Sequence, residues 1–262
     1  MRLRPLIPWL LATGLSAAAF AQNNTTTDGT RTTNTQPPAQ SVNPALTSEM
    51  RGDIFMARKM YREAIDAFRQ GPPKNAVLLN KIGIAYHQMM QLDKAKKSYE
   101  QALKIKPDYV EAMNNIGTVY YAQKSYRRAI SWYTRALKAA GPEPKSASVY
   151  MNLGTAYFAR KKYDDATQAY QEAMKIDPDV FERRGTYGVM LEERRVEERA
   201  TYHFYLAKLY AQGGRNELAL QYLRKAFEEG FKEKKKLDEP EFAALRETPE
   251  FKELVEKQFK VL

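Results

Sequence analysis

Few side chains in this 262-residue chain are suited to covalent or metal chemistry. Cysteine is absent, which removes disulfides, thiolate ligands, cysteine nucleophiles and a lipid-modified cysteine. The two histidines, His87 and His203, are far apart and lack H-x-x-x-H spacing. A metal site needs more nitrogen, sulfur or clustered carboxylate than that. No Gly-rich phosphate loop, nucleophile elbow or catalytic carboxylate pair stands out. The expectation is a chain with no catalytic residue, no metal and no cofactor, and so not an enzyme. What it has in quantity is positive charge: formally +11, with 22 basic against 14 acidic side chains between residues 45 and 180. Apolar residues make up 44% and charged ones 28%, enough to bury a sizeable core.

The elements that position these residues repeat. Leu79-x-x-Ile82-Gly83-x-x-Tyr86 aligns with Met113-x-x-Ile116-Gly117-x-x-Tyr120 and with Tyr150-x-x-Leu153-Gly154-x-x-Tyr157. Each is followed by an alanine (Ala95, Ala129, Ala166), an aromatic (Tyr99, Tyr133, Tyr170) and a second alanine (Ala102, Ala136, Ala173). Gly83 and Gly117 are 34 residues apart, and Pro107 and Pro178 close two of the units. Small residues let two helices approach, rings fill the space between units, and proline stops the second helix. Gly52, Phe55, Ala64, Phe68 and Gly71 frame a weaker first unit, with Arg51 where an aliphatic is usual. Leu206, Ala207, Tyr210, Ala219, Leu223 and Ala226 frame a last one, with Ala207 in place of glycine. Gly141-Pro142-Glu143-Pro144 lengthens one loop.

This pattern resembles the tetratricopeptide repeat, whose signature is an aromatic, Leu-Gly and Tyr, then Ala and Phe, then Pro at the same period. The resemblance implies an all-α, right-handed superhelical solenoid of helix-turn-helix repeats with a helical C-terminal cap. It also implies a non-catalytic scaffold that binds a protein or extended peptide in a concave groove, within an envelope or secretion assembly. In similar proteins the first helix of each unit lines that groove, and an asparagine there pairs with peptide backbone through its donor and acceptor. Asn115 and Asn152 take this place, with Lys81 one unit earlier and Tyr205 in the last unit. Thr118, Tyr121, Thr155 and Phe158 are expected to face inward beside them, while Asn80 and Asn114 project differently. The alternative is that asparagine is simply common before Leu-Gly in the family. A cluster of Lys and Arg to grip a terminal carboxylate, as in chaperone-binding members, is missing. His203 falls at the aromatic place of its unit and is expected as a packed substitute; His87 is expected on an inner face.

The resemblance also sorts the charge. Arg58, Lys59, Lys94, Arg127, Arg128, Arg160, Lys161 and Lys162, with Arg62 and Lys124, fall at or near the turn between the two helices of a unit. Stacked turns make a basic edge, suited to an anionic envelope polymer or membrane surface within a Debye length of about 8–10 Å. The alternative is a solvated edge that keeps the chain soluble. Nucleic acid is not expected, because the chain is read as exported and the edge lacks a regular stacking aromatic.

Export is read from residues 1–21. Arg2 and Arg4 precede an apolar stretch from Leu6 to Phe20, and Ala19-Phe20-Ala21 suits cleavage before Gln22, giving a periplasmic or secreted chain. Residues 22–44, rich in Thr, Asn, Gln and Pro, read as a disordered linker. Four repeat units are expected over 45–180 and a fifth over 200–233. Between them, 181–199 fits no repeat and carries alternating Glu and Arg, expected as an exposed helical extension or a docking element. Residues 234–262 are expected to cap the stack through Phe242, Leu245, Phe251 and Leu254.

Overall fold

The computed structural model describes residues 46–141, 146–182 and 196–259. The expected leader and linker, the loop residues 142–145, and the glycines and first part of the charged run in 183–195 lie outside the described residues, as do 260–262. Ten helices pair into hairpins: α1 Ser48–Ala57 with α2 Tyr61–Arg69, α3 Ala76–Gln88 with α4 Leu92–Ile105, and α5 Val110–Ala122 with α6 Tyr126–Ala139. They continue as α7 Ala147–Ala159 with α8 Tyr163–Ile176, and α9 Val196–Gln212 with α10 Asn216–Glu228. No strand occurs among the described residues. Each second helix also packs on the next first helix up to α7 (α2 on α3, α4 on α5, α6 on α7), so the hairpins stack into an all-α solenoid. Successive first helices also meet, α3 with α5 and α5 with α7, more closely than any pair of second helices. The first helices therefore line the inner side of the curve.

Within a hairpin the fit is set by glycine against a ring. A Cβ on Gly83 would stand 2.3 Å from Tyr99 Cε1, and one on Gly117 would stand 2.5 Å from Tyr133 Cε1. Gly52 faces Phe68 and Gly154 faces Tyr170 in the same way. These rings are buried, so each of the first four hairpins is closed by one desolvated aromatic.

The turn inside a hairpin is equally regular. Its middle residue is left-handed: Lys59, Met90, Lys124 and Lys161 at φ 56–58°, and Gly214 at 71°. The next amide reaches back to close the helix, as where Ser125 N–H donates to Tyr120 O at 2.8 Å and Lys162 N–H donates to Tyr157 O at 3.0 Å. Such a close satisfies carbonyls that the helix end leaves open. Glycine is the residue that adopts this conformation without a Cβ clash, yet only the last hairpin uses one.

The fifth hairpin is tied to the fourth on the near side of the 183–195 segment. Arg215 Nη2 donates to Asp179 Oδ1 at 2.8 Å, Gln171 Nε2 donates to Gln212 Oε1 at 2.7 Å, and Tyr210 donates to Glu182. The helix α9 is buried over most of its circumference, because the fourth hairpin covers one side and the C-terminal segment the other. That segment has 3₁₀ turns at Lys234–Asp238 and Pro240–Phe242, then α11 Ala243–Arg246 and α12 Pro249–Phe259. Phe242, Leu245 and Phe251 are buried, Leu254 packs beside them, and Phe231 stacks on Phe204 at 4.2 Å. Arg246 Nη1 pins the cap by donating to Leu237 O and Glu239 O, both at 2.9 Å.

Candidate functional site

The inner side carries a ladder of side-chain contacts that links one first helix to the next. The residue three places before the repeat glycine bonds to the residue two places before it in the following unit. Glu49 accepts from Lys81 Nζ at 2.7 Å, with Asp53 joining at 2.6 Å. Asn80 Oδ1 accepts from Asn115 Nδ2 at 2.9 Å, and Asn114 Oδ1 accepts from Asn152 Nδ2 at 3.0 Å. At the last step Met151 and Tyr205 share one apolar cluster. Asn80 and Asn114, expected to project differently from Asn115 and Asn152, are thus their partners in the ladder.

The ladder changes what the inner face offers. Asn152, Thr155 and Phe158, expected on an open groove, are buried at 3%, 5% and 4% exposure. The reason is α9, whose Tyr202 and Tyr205 close on Phe158 at ring distances of 5.5 and 5.9 Å, with Tyr163 at 5.1 Å. The Thr155 hydroxyl lies 3.2 Å from that of Tyr170. Asn152 spends one N–H on Asn114, and its buried Oδ1 has no hydrogen-bond partner. Lys81, Asn115, Thr118, Tyr121 and Tyr205 remain half-buried and face solvent in part. Burial alone would lower the Lys81 ammonium, but its bonds to Asp53 and Glu49 outweigh that and hold its pKa above the usual lysine value. Its charge is therefore taken up within the chain. Tyr205 stacks on Tyr163 at 4.8 Å, and burial chiefly pushes its phenol up to about 12.

Along the turns, Arg58, Lys59, Lys94, Arg127, Arg128, Lys161 and Lys162 are exposed and Arg160 is half-buried. Several are held locally. Lys94 lies over Tyr86 at 5.6 Å, Arg128 over Tyr120 at 5.7 Å, and Lys162 pairs with Asp165 at 3.0 Å. Between the turns of the third and fourth hairpins is an open recess of about 450 Å³, lined by Lys124, Ser125, Tyr126, Arg127, Arg128 and Arg160. Ser125 and Tyr126 carried no signal in the sequence, because only the fold brings them under Arg160.

With the geometry in place, the chain can be set beside known proteins. A family model described as tetratricopeptide repeat matches residues 108–179, and a TPR repeat model matches 85–124. Residues 85–179 carry tetratricopeptide repeats. A solved structure titled as a functional characterization of Pseudomonas aeruginosa pilF shares the fold, with TM-score 0.52 at 17% identity over 80% of this chain and 86% of that one. A Pyropia yezoensis protein, ycf37, is 42% identical over 24% of this chain and 35% of its own length. The Aspergillus fumigatus heat-shock cognate co-chaperone sgt12 is 32% identical over 40% of this chain and 32% of its own. The chain thus spans about a third of the length of these two curated relatives.

The matched tetratricopeptide repeats are the central ones; the first and fifth hairpins fall outside the matched residues. His203 sits at the aromatic place of the fifth, but it is more than a packed ring: its Nδ1 lies 2.6 Å from Glu229 Oε2, bridging α9 to α10. Burial lowers the pKa of this imidazole despite the opposing pull of Glu229. His87 in the second repeat is lowered by burial alone. No group of three His, Asp or Glu able to hold a metal ion occurs among the described residues. No described helix is long and apolar enough to cross a membrane.

Proposed function

We propose that this chain is a non-catalytic scaffold that holds an extended protein segment along its inner face. The observation that carries the reading is Asn115. Asn80 fixes its amide, which among the described residues keeps an acceptor and one N–H unspent; Asn115 is partly exposed, with Thr118 and Tyr121 on the next turns of α5. A fixed amide with one donor and one acceptor matches one peptide unit of an extended chain. The relatives support a protein-binding role in general terms. A co-chaperone role of the sgt12 kind fits poorly, because Lys81, the one cation at a ladder position, is engaged by Glu49 and Asp53. The leader-like residues 1–21 favour work outside the cytoplasm, in an envelope or secretion assembly.

Photo-crosslinking in intact cells tests this. A benzoylphenylalanine at position 121 should trap a defined protein, and Asn115→Ala should abolish the product while helicity is kept. The same probe at position 104, on a second helix, should trap nothing of the kind. Identical products from both positions, or products indifferent to Asn115→Ala, would remove the groove from consideration.

A further inference from the structure

We infer that the recess between the third and fourth turns is a binding site for a phosphoryl group carried on a small organic body. It lies on the basic edge, where Tyr126 meets the groove's Tyr121 at a ring distance of 5.2 Å, and its test changes neither Asn115 nor position 121, so it stands or falls independently of the function proposed above.

Four cationic side chains, Lys124, Arg127, Arg128 and Arg160, line one recess of about 450 Å³. None of them has an ion pair among the described residues, whereas Lys162, in the same turn as Arg160, is paired with Asp165. Like charges gathered without a counter-charge repel one another, which the Tyr120 ring under Arg128 offsets only for that side chain.

The start of α6 makes the arrangement costlier still. The second helices α2, α4, α8 and α10 each carry an acid in the first turn: Glu63, Asp93, Asp164 with Asp165, and Glu217. That is the sign the positive end of a helix favours. The first turn of α6 has no acid and contains Arg127 and Arg128 instead. No side chain caps it, and its first closing bond is from Ala129 N–H to Ser125 O at 3.0 Å. The N–H groups of Tyr126, Arg127 and Arg128 are therefore left for a ligand. Lys124 adds its own cost, holding φ 56° without being glycine. The left-handed lysine is shared with other turns, but uncountered like charges and a basic helix start come together here, and such broken preferences are where a functional site is expected.

The ligand chemistry follows from the donors. Arginine forks match the paired oxygens of a phosphate, and uncapped amides at a helix start suit a compact anion. Ser125 and Tyr126, which also line the recess, carry neutral hydroxyls. The volume exceeds that of one phosphate and falls in the range of small-ligand sites. A soluble phosphate ester and a phospholipid headgroup share this chemistry.

The test uses the full chain and two probes at fixed ionic strength: inorganic pyrophosphate by calorimetry, and phosphatidylglycerol vesicles by co-sedimentation. Arg127→Gln and Arg160→Gln should each weaken binding about tenfold, the usual weight of a charged hydrogen bond. Lys104→Gln, which removes the same charge from the end of α4, should change it less than about twofold. Circular dichroism confirms that all three variants stay folded. Vesicle capture lost in the arginine variants makes a lipid headgroup the source. Saturable pyrophosphate binding without vesicle capture makes it a soluble ester. No saturable binding of either probe overturns the site, as does an equal loss in Lys104→Gln or no loss in the arginine variants.

Discussion

Replacing Gly117 with alanine sets two well-known effects against each other. Alanine in a helix interior is favoured over glycine by about 1 kcal/mol, so propensity alone predicts a more stable protein. The packing predicts the reverse. The new Cβ would stand 2.5 Å from Tyr133 Cε1, 2.7 Å from Cδ1 and 3.1 Å from Cζ, where carbon contacts settle near 3.5–4.0 Å. The ring must therefore retreat by about 1 Å, set by that same contact distance. It has no room: Tyr133 is 0% exposed and its hydroxyl reaches Thr118 Oγ1 at 3.4 Å. Overpacking of this kind costs about 1–3 kcal/mol, so after the propensity gain the net result should be a loss of up to about 2 kcal/mol. The chain contains its own control. In the fifth hairpin the corresponding pair is Ala207 with Leu223, both fully buried. Gly117→Ala combined with Tyr133→Leu should therefore be more stable than the sum of the single changes by about 1 kcal/mol or more. Urea unfolding of the four proteins, followed by circular dichroism and compared at equal slope, completes the cycle. Gly117→Ala more stable than the parent, or additivity within about 0.5 kcal/mol, would refute the reasoning.

Two further outcomes follow from the turns and the buried imidazole. Lys161→Gly should raise stability by about 0.5–1 kcal/mol, since φ 58° costs a residue with a Cβ; Lys104→Gly within α4 should lower it by about 1 kcal/mol, and a thermal melt separates them. Burial holds the His87 pKa below the ordinary value of about 6.5, so the unfolded chain takes up the proton first as pH falls. The stability associated with neutral His87 is full above that value and is lost progressively below it. His87→Gln should make the urea midpoint less dependent on pH between about 7 and 5, and an unchanged difference across that window would contradict the assignment.

The repeat frame was legible because its determinants are local. Gly83 with Tyr99 and Gly117 with Tyr133 recur at one spacing within single hairpins, and helical periodicity places them face to face. The ladder was not legible for the opposite reason. Asn80 meets Asn115, and Asn114 meets Asn152, across 35 and 38 residues. Which of two adjacent asparagines turns to the next unit depends on the rotation between hairpins, not on the period of a helix. The burial of Phe158 was hidden similarly, since it depends on how far α9 swings Tyr202 and Tyr205 across the fourth unit. His203 was read by its place in a pattern, and the pattern holds no information about a carboxylate at Glu229.

The unlike rungs of the ladder bear on how such a chain can gain or lose units over evolutionary time. The first junction is ionic, Glu49 to Lys81; the next two are amide to amide; the last is apolar. Excising the third hairpin would bring Asn80 against Asn152, restoring an amide pair. Excising the second would leave Glu49 facing Asn115, a carboxylate without its cation. Duplication and deletion are thus tolerated in the middle of the array and resisted at its entrance, and the order of the end units is written into the chemistry of their seams.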